Sequence, residues 1–495
     1  MKTIARRSFL KKSLALGTAA VVASSWRVLG ANDDIRVAVV GFRSQGRVHL
    51  RNYLKMSGVR LVALCDVDQE ILDREVSRCE KAGHKVDAYR DIRKLLERKD
   101  LDAVSLVTPN HWHALGTVWA CQAGKDVCVE KPVSHNIWEG RKMVQAGRKY
   151  GRMVQADLDE RSRRHNDEAF DYLHSGALGK ILVVRGFCYK LRPGIGKTKG
   201  QGHIPETVDY DLWCGPATKG PIDRSELHYD WHWVWDTGCG ELGNNGAHQL
   251  DDIRWMLREQ GMPRRVMSLG GRFGVDDAGE TPNSQLIFCD YPTAPVIYEV
   301  RGLPEKPGSE KMDDFTTKLS NGLTIQNRWK GRGPNCGVII QCEGGYIDLG
   351  GQAAFDNKGN EIRTFGNEGA VDPQSNFIKA VRSRKQDDLK TDIEQGHLSA
   401  CLSHLGNISY RLGKTVAPES VRDVLQKDRD GLEAFQRFNQ HLARHEIDLK
   451  KTQAALGPWL TLDSKTERFV GSLAEEANQL VKRHYREPFV IREEV

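Results

Sequence analysis

The chain has no long hydrophobic run, no concentration of one charge outside its first residues, and no paired cysteine motif. Charged residues interrupt every apolar stretch but the one at residues 13–25, which falls short of the ~20 residues a spanning helix needs. The formal charge is +7, yet Lys2, Arg6, Arg7, Lys11, Lys12 and Arg27 supply six of those units within a segment that has no acid. The remainder is close to neutral, so there is no basic stripe for nucleic acid. The eleven cysteines are an odd number and none form C-x-x-C. Cys65 and Cys128 sit inside apolar runs, where thiols act as small buried hydrophobes, so a disulfide scaffold is not indicated. Neither a G-x-S-x-G elbow nor a cysteine–histidine signature is present, and nucleophilic hydrolysis is not indicated either.

What is present begins with "MKTIARRSFLKKSLALGTAAVVASS", residues 1–25. A basic cluster around Arg6-Arg7, then Phe-Leu-Lys and a weakly apolar Ala/Gly/Val run, reads as a twin-arginine signal peptide over 1–31. The expectation is an exported, periplasmic or cell-envelope protein that the twin-arginine machinery carries already folded.

From residue 34 short apolar runs alternate with segments of helical spacing. "IRVAVVG" (35–41), "GVRLVALCD" (58–66), "AVSLVTP" (103–109) and "DVCVEKP" (126–132) read as strands, with weaker ones at "KVDAY" and "RMVQA". Strands alternating with helices imply a parallel sheet covered on both faces, so 34–155 is expected to be a doubly wound Rossmann domain, α/β in class. Its phosphate loop should be Gly41-Phe42-Arg43-Ser44-Gln45-Gly46, where Gly41 makes the turn and Gly46 allows close packing. Arg43 replaces the central glycine, and the fingerprint alone is weak. Asp66, ending the second strand, is placed to bind ribose hydroxyls and repel a 2′-phosphate, which favours NAD over NADP. Arg43 is expected to place its guanidinium beside the pyrophosphate.

"TPNHWHA" (108–114) and "VEKPVSHN" (129–136) resemble motifs of the glucose–fructose oxidoreductase/inositol dehydrogenase (Gfo/Idh/MocA) family, and E-K-P is that family's most diagnostic tripeptide. The resemblance continues through "YDLWCGPA", "HYDWHWVWDTGCGELGNNGAHQLDD" and "ANQLVKRHYREPFVI", covers essentially the whole chain, and looks like an exported branch. It implies cofactor contacts from Thr108, Pro109, Asn110, His113, Glu130 and Lys131. It also implies that 156–418 form an α+β domain with a large open antiparallel sheet, a reading that the alternating runs after residue 180 support independently. Residues 419–495 are expected to be a helical extension packing back on the fold. Because relatives' open sheets often pair, a homo-oligomer (dimer or tetramer) is expected by analogy.

The resemblance assigns Lys131 to the nicotinamide and the reacting hydroxyl, where an ammonium stabilises alkoxide character. The family pattern D-x-G-x-H is here Asn244-x-Gly246-x-His248. An amide orients a hydroxyl but cannot take its proton, so His248 is the expected general base, with Asp251 one turn on to orient it. Asn244, Asp251, His232, Trp233 and Arg161 are the expected substrate contacts. The aromatic segment "HYDWHWVWD" suits a sugar platform and equally suits a buried loop. His228/His232 and His111/His113 have ligand-like spacing, but neither pair has a third ligand, and no metal is expected.

The expected function is NAD-dependent oxidation of a carbohydrate or polyol secondary alcohol with a tightly held, internally recycled cofactor. Two other readings stay open. One is glycoside cleavage by oxidation, elimination, hydration and re-reduction, as in the NAD-dependent glycosidases of family 109. The other is a sugar-binding protein with a vestigial cofactor site, for which Arg43 and Asn244 speak.

Overall fold

The computed structural model describes residues 34–319, 321–327, 335–366 and 372–495. The expected signal segment lies outside these residues. Among the described residues, no helix is long and apolar enough to cross a membrane.

The first domain is built on six parallel strands: β1 (Ile35–Val40), β2 (Val59–Cys65), β3 (Asp87–Tyr89), β4 (Ala103–Leu106), β5 (Asp126–Glu130) and β6 (Val154–Asp157). Their order, β3-β2-β1-β4-β5-β6, is that of the doubly wound dinucleotide-binding fold. The apolar runs are continuous because both faces are covered. In β1, Ala38 and Val40 enter the core shared with helix Asn110–Gln122, while Val37 and Val39 enter the core shared with helix Gly46–Lys55. That second core is closed by a distant element: helix Pro373–Ser383 contributes Phe377, Ala380 and Val381.

The second domain carries a twelve-stranded sheet. At its centre β7 (Ile181–Tyr189) lies between strand Asn335–Cys342 and β10 (Pro295–Arg301), with β9 (Ser284–Asp290) and β8 (Arg265–Gly271) beyond. The sheet is mixed, which corrects the expected antiparallel one: β10 runs parallel to β7, whereas the β8–β9 and β9–β10 pairs are antiparallel. The long excursion between β7 and β8 frees their relative direction from the hairpin constraint that sets β9 against β10.

One face packs on helices Gly246–Met256 and Ile393–Arg411, through Leu250, Ile253, Leu402 and Leu405. The other face is covered in part by helix Arg429–Arg444, which lays Phe435, Phe438 and Leu442 over Met267, Leu269, Leu286 and Phe288. The C-terminal segment is also not wholly helical. Strands Ala454–Leu456, Leu460–Asp463 and Arg468–Val470 extend the sheet edge beside β8, and Phe489 reaches back to Trp112 with ring centroids 5.6 Å apart.

Candidate active site

A cleft of about 1100 Å³ lies where the strand ends of the first domain face the second. This is the position at which doubly wound sheets place ligands, and the volume suits a dinucleotide with a small substrate.

The loop after β1 requires both of its glycines. Gly41 has φ +79°, and a Cβ there would stand 2.8 Å from the Val107 carbonyl oxygen; at Gly46 it would stand 2.2 Å from the Gly41 carbonyl oxygen. Phe42 is buried beneath the loop, while Arg43, Ser44 and Gln45 are exposed on the cleft wall. Arg43 Nη2 is 3.4 Å from Asp68 Oδ2, so its guanidinium turns toward that buried acid. Asp66 also lines the cleft. It accepts the Phe42 N–H at 3.2 Å and the Asp68 N–H at 3.0 Å, coupling the end of β2 to the glycine loop. Burial pushes its carboxyl up to about 6 against those two hydrogen bonds.

The motif after β4 provides polar lining. Thr108 Oγ1 and Asn110 Oδ1 are buried on the cleft wall without a protein partner, which fits a polar ligand. Pro109 lines the wall between them. His113 ties two strand ends together, with Nδ1 2.7 Å from the Pro132 carbonyl and Nε2 2.7 Å from the Thr108 carbonyl. Burial holds its pKa below the ordinary histidine value. The glycine cradle and these orphaned polar atoms together fit a dinucleotide.

At the end of β5, Glu130 accepts the Lys131 N–H at 3.0 Å and faces His49 Nε2 at 3.1 Å. His49 also meets Asp157 at 2.9 Å. Burial alone would neutralise this imidazole, yet the flanking carboxylates raise it to about 10. Lys131 Nζ donates to the Asn244 carbonyl at 2.8 Å and to Asn244 Oδ1 at 3.2 Å. Asn244 is held from behind: its Nδ2 donates to Glu241 at 3.4 Å, and Glu241 is clamped by Arg192 at 2.6 and 2.8 Å.

His248 faces the cleft from the first turn of helix Gly246–Met256, and its Nδ1 lies 3.2 Å from Asp159 Oδ1. Burial opposes a charged ring, but Asp159 outweighs it and the pKa is raised. The partner expected from helical spacing was Asp251, and the structure corrects that. Asp251 is fully buried, pairs with Arg161 at 2.8 and 2.7 Å, and accepts from Ser399 Oγ at 2.7 Å. Neither Arg161 nor Asp251 lines the cleft. The pair is internal because Arg161, arriving after β6, brings a cation into the second-domain core that needs a buried counter-charge.

The aromatic segment divides. Tyr229, Trp231 and His232 line the cleft, with the His232 ring stacked on Trp231 at 3.6 Å between centroids. Burial pushes His232 down to about 3. Trp233 lies outside the cleft lining, buried beneath Arg192 at 5.2 Å.

Sequence reasoning missed Asp159 and Glu160, although they follow the end of β6 with one residue between and the strand-end rule would have flagged them. Two groups of three ligand-type residues converge among the described residues: His49/Glu130/Asp157 and Asp159/Glu160/His248. Each is accounted for by its own charge pairing. Arg163 Nη2 sits 3.1 Å from Asp159 and 3.0 Å from Glu160 and offsets their charge.

Comparison with known proteins shows what two segments of the chain are similar to. Residues 35–158 match the family model described as an oxidoreductase family NAD-binding Rossmann fold, and residues 172–276 match its C-terminal alpha/beta domain. The two matched segments, which together make up just under half of the chain, are the two domains of the Gfo/Idh/MocA family models. The chain's first domain is that family's NAD-binding Rossmann fold. An inositol 2-dehydrogenase of Salmonella typhimurium is 30% identical over 180 residues, covering 36% of this chain and 52% of that protein. A glycosyl hydrolase family 109 protein of Saccharopolyspora erythraea is 29% identical over 162 residues, 32% of this chain and 35% of that protein. The matches thus span from about a third to about half of the length of these curated relatives. Among solved structures, the WlbA dehydrogenase from Bordetella pertussis, in complex with NADH and UDP-GlcNAcA, aligns with a TM-score of 0.55 at 18% identity, covering 76% of this chain and 97% of that one. Aldose-aldose oxidoreductase from Caulobacter crescentus aligns at 0.51 with 15% identity, covering 76% and 98%. At these identities the structural likeness is one of fold.

Proposed function

We propose that this protein is an exported NAD-dependent oxidoreductase that acts on a secondary alcohol of a carbohydrate or polyol and retains its cofactor through each cycle. The observation that carries this reading is the convergence of Lys131, Asn244 and His248 on one cleft with the glycine loop. Gly41, Gly46, Asp66, Thr108 and Asn110 would hold NAD, which when bound supplies the hydride acceptor. Lys131 Nζ, held by Asn244, stabilises negative charge building on the substrate oxygen. The Asn244 amide orients the hydroxyl. With Nδ1 turned to Asp159, His248 presents Nε2 as the atom that receives the hydroxyl proton, and the Asp159 carboxylate stabilises the resulting imidazolium. Tyr229, Trp231 and His232 offer flat faces for the C–H side of a sugar ring.

A second reading draws on the family 109 relatives. A ketone formed on the ring acidifies the neighbouring C–H; His248 beside Asp159 would take that proton as the aglycone leaves, water would add to the resulting alkene, and return of the hydride to the ketone would complete glycoside cleavage with no net redox change. Incubation with a panel of sugars, polyols and aryl glycosides separates the two. Net ketone, captured as a carbonyl derivative, supports the oxidoreductase; released aglycone without net ketone supports the glycosidase. Neither product with any member of a broad panel would favour the non-catalytic reading. Retention of the cofactor also gives the twin-arginine segment a reason, since that route exports folded proteins. Arg6→Lys combined with Arg7→Lys should leave the protein in the cytoplasmic fraction.

A further inference from the structure

Cys188 on β7 and Cys336 on strand Asn335–Cys342 stand directly opposite each other in antiparallel register. Opposed residues share a face and have Cα atoms ~4.5–5.5 Å apart, inside the range that a disulfide spans. Their sulfurs are 3.0 Å apart, and no other two thiols are in contact among the described residues. Cys188 is fully enclosed; Cys336 is also buried but belongs to the cleft wall, which makes the cleft the side from which the pair would be approached.

We propose that Cys188 and Cys336 form a cross-strand dithiol/disulfide site that a small disulfide oxidant closes through the cleft. The Cys336 thiolate attacks one sulfur of the oxidant, breaks its S–S bond and expels one thiolate. The Cys188 thiolate then attacks the Cys336 sulfur of the mixed disulfide, forming the Cys188–Cys336 bond and expelling the second thiolate. The two thiols give up two protons and two electrons; the oxidant takes up both and leaves as two thiols. The product joins the centre of the sheet next to the carboxylate that supports Asn244, since Cys188 Sγ is 3.8 Å from Glu241 Oε1. It closes a loop across 148 sequence positions, and constraining so long a loop favours the folded state.

The test treats the full folded protein with oxidised glutathione, blocks remaining thiols after denaturation, and maps peptides without reduction. The expected result is a peptide pair linked through Cys188 and Cys336 with loss of two hydrogens, and a thermal midpoint raised by about 4 °C. The midpoint shift should vanish in Cys336→Ser. If Cys336→Ser does not fold, dithiothreitol added to the oxidised wild type should reverse both the link and the shift. The proposal is overturned if both thiols remain alkylatable after oxidation, if glutathione stays on Cys336 as a mixed disulfide, or if the link forms only after denaturation.

Discussion

His248 Nδ1 stands 3.2 Å from Asp159 Oδ1, joining a helix of the second domain to the segment that follows the last strand of the first. The pair spans the cleft and sets the protonation of the proposed base.

Asp159 raises the His248 pKa above the ordinary 6.5 against burial and the neighbouring Lys131. Because the neutral ring is the active form, turnover should rise with pH along a limb whose midpoint lies above 6.5. Asp159→Asn removes the raising influence, so the limb should move to lower pH while the plateau rate falls for want of imidazolium stabilisation. A pH–kcat/KM profile checks this, and an unmoved limb contradicts the pairing.

Lys131→Ala should lower kcat/KM by about 10²–10³, the usual cost of losing one group aimed at developing charge. Because the wild-type ammonium bonds Asn244 rather than the glycine loop, bound dinucleotide, read by absorbance, should fall far less than turnover.

Arg161→Ala should behave as a stability variant. It leaves the Asp251 carboxylate buried without its cation, a loss of roughly 3–5 kcal/mol. Denaturant unfolding should show the loss, while KM in the remaining folded protein stays near wild type. A large KM change with unaltered stability would return Arg161 to the substrate site.

His49 makes stability depend on pH in a defined direction. Its folded pKa is raised to about 10, so its contribution is complete below about 6.5 and is lost as pH climbs through 10. The thermal midpoint should decline over that interval. In His49→Gln the midpoint should be lower at neutral pH and the decline shallower.

The first domain was legible because a sheet buried on both faces writes its strands as continuous apolar runs. The end of the second strand then pointed to Asp66, and the strand-end motifs that carry the family resemblance implied Thr108 and Lys131, without any long-range information. What escaped depended on contacts distant in sequence. The Asp159–His248 pair joins residues 89 positions apart, and Arg161–Asp251 joins residues 90 apart. Local helical spacing therefore offered Asp251 to the wrong partner. The parallel course of β10 beside β7 has no local signature either, because strand direction is set by the chain between them. Within the aromatic segment, composition could not say that Trp231 faces the cleft while Trp233 lies under Arg192.

The central claim, that the cleft permanently clasps a nicotinamide dinucleotide, is tested most directly by acid release from the purified, folded protein followed by mass spectrometry. The account predicts NAD(H) close to one per chain, sharply reduced in Gly46→Ala, where the added methyl would meet the Gly41 carbonyl. Wild-type protein that yields no dinucleotide, and whose thermal midpoint does not move when NAD or NADH is supplied, would contradict it.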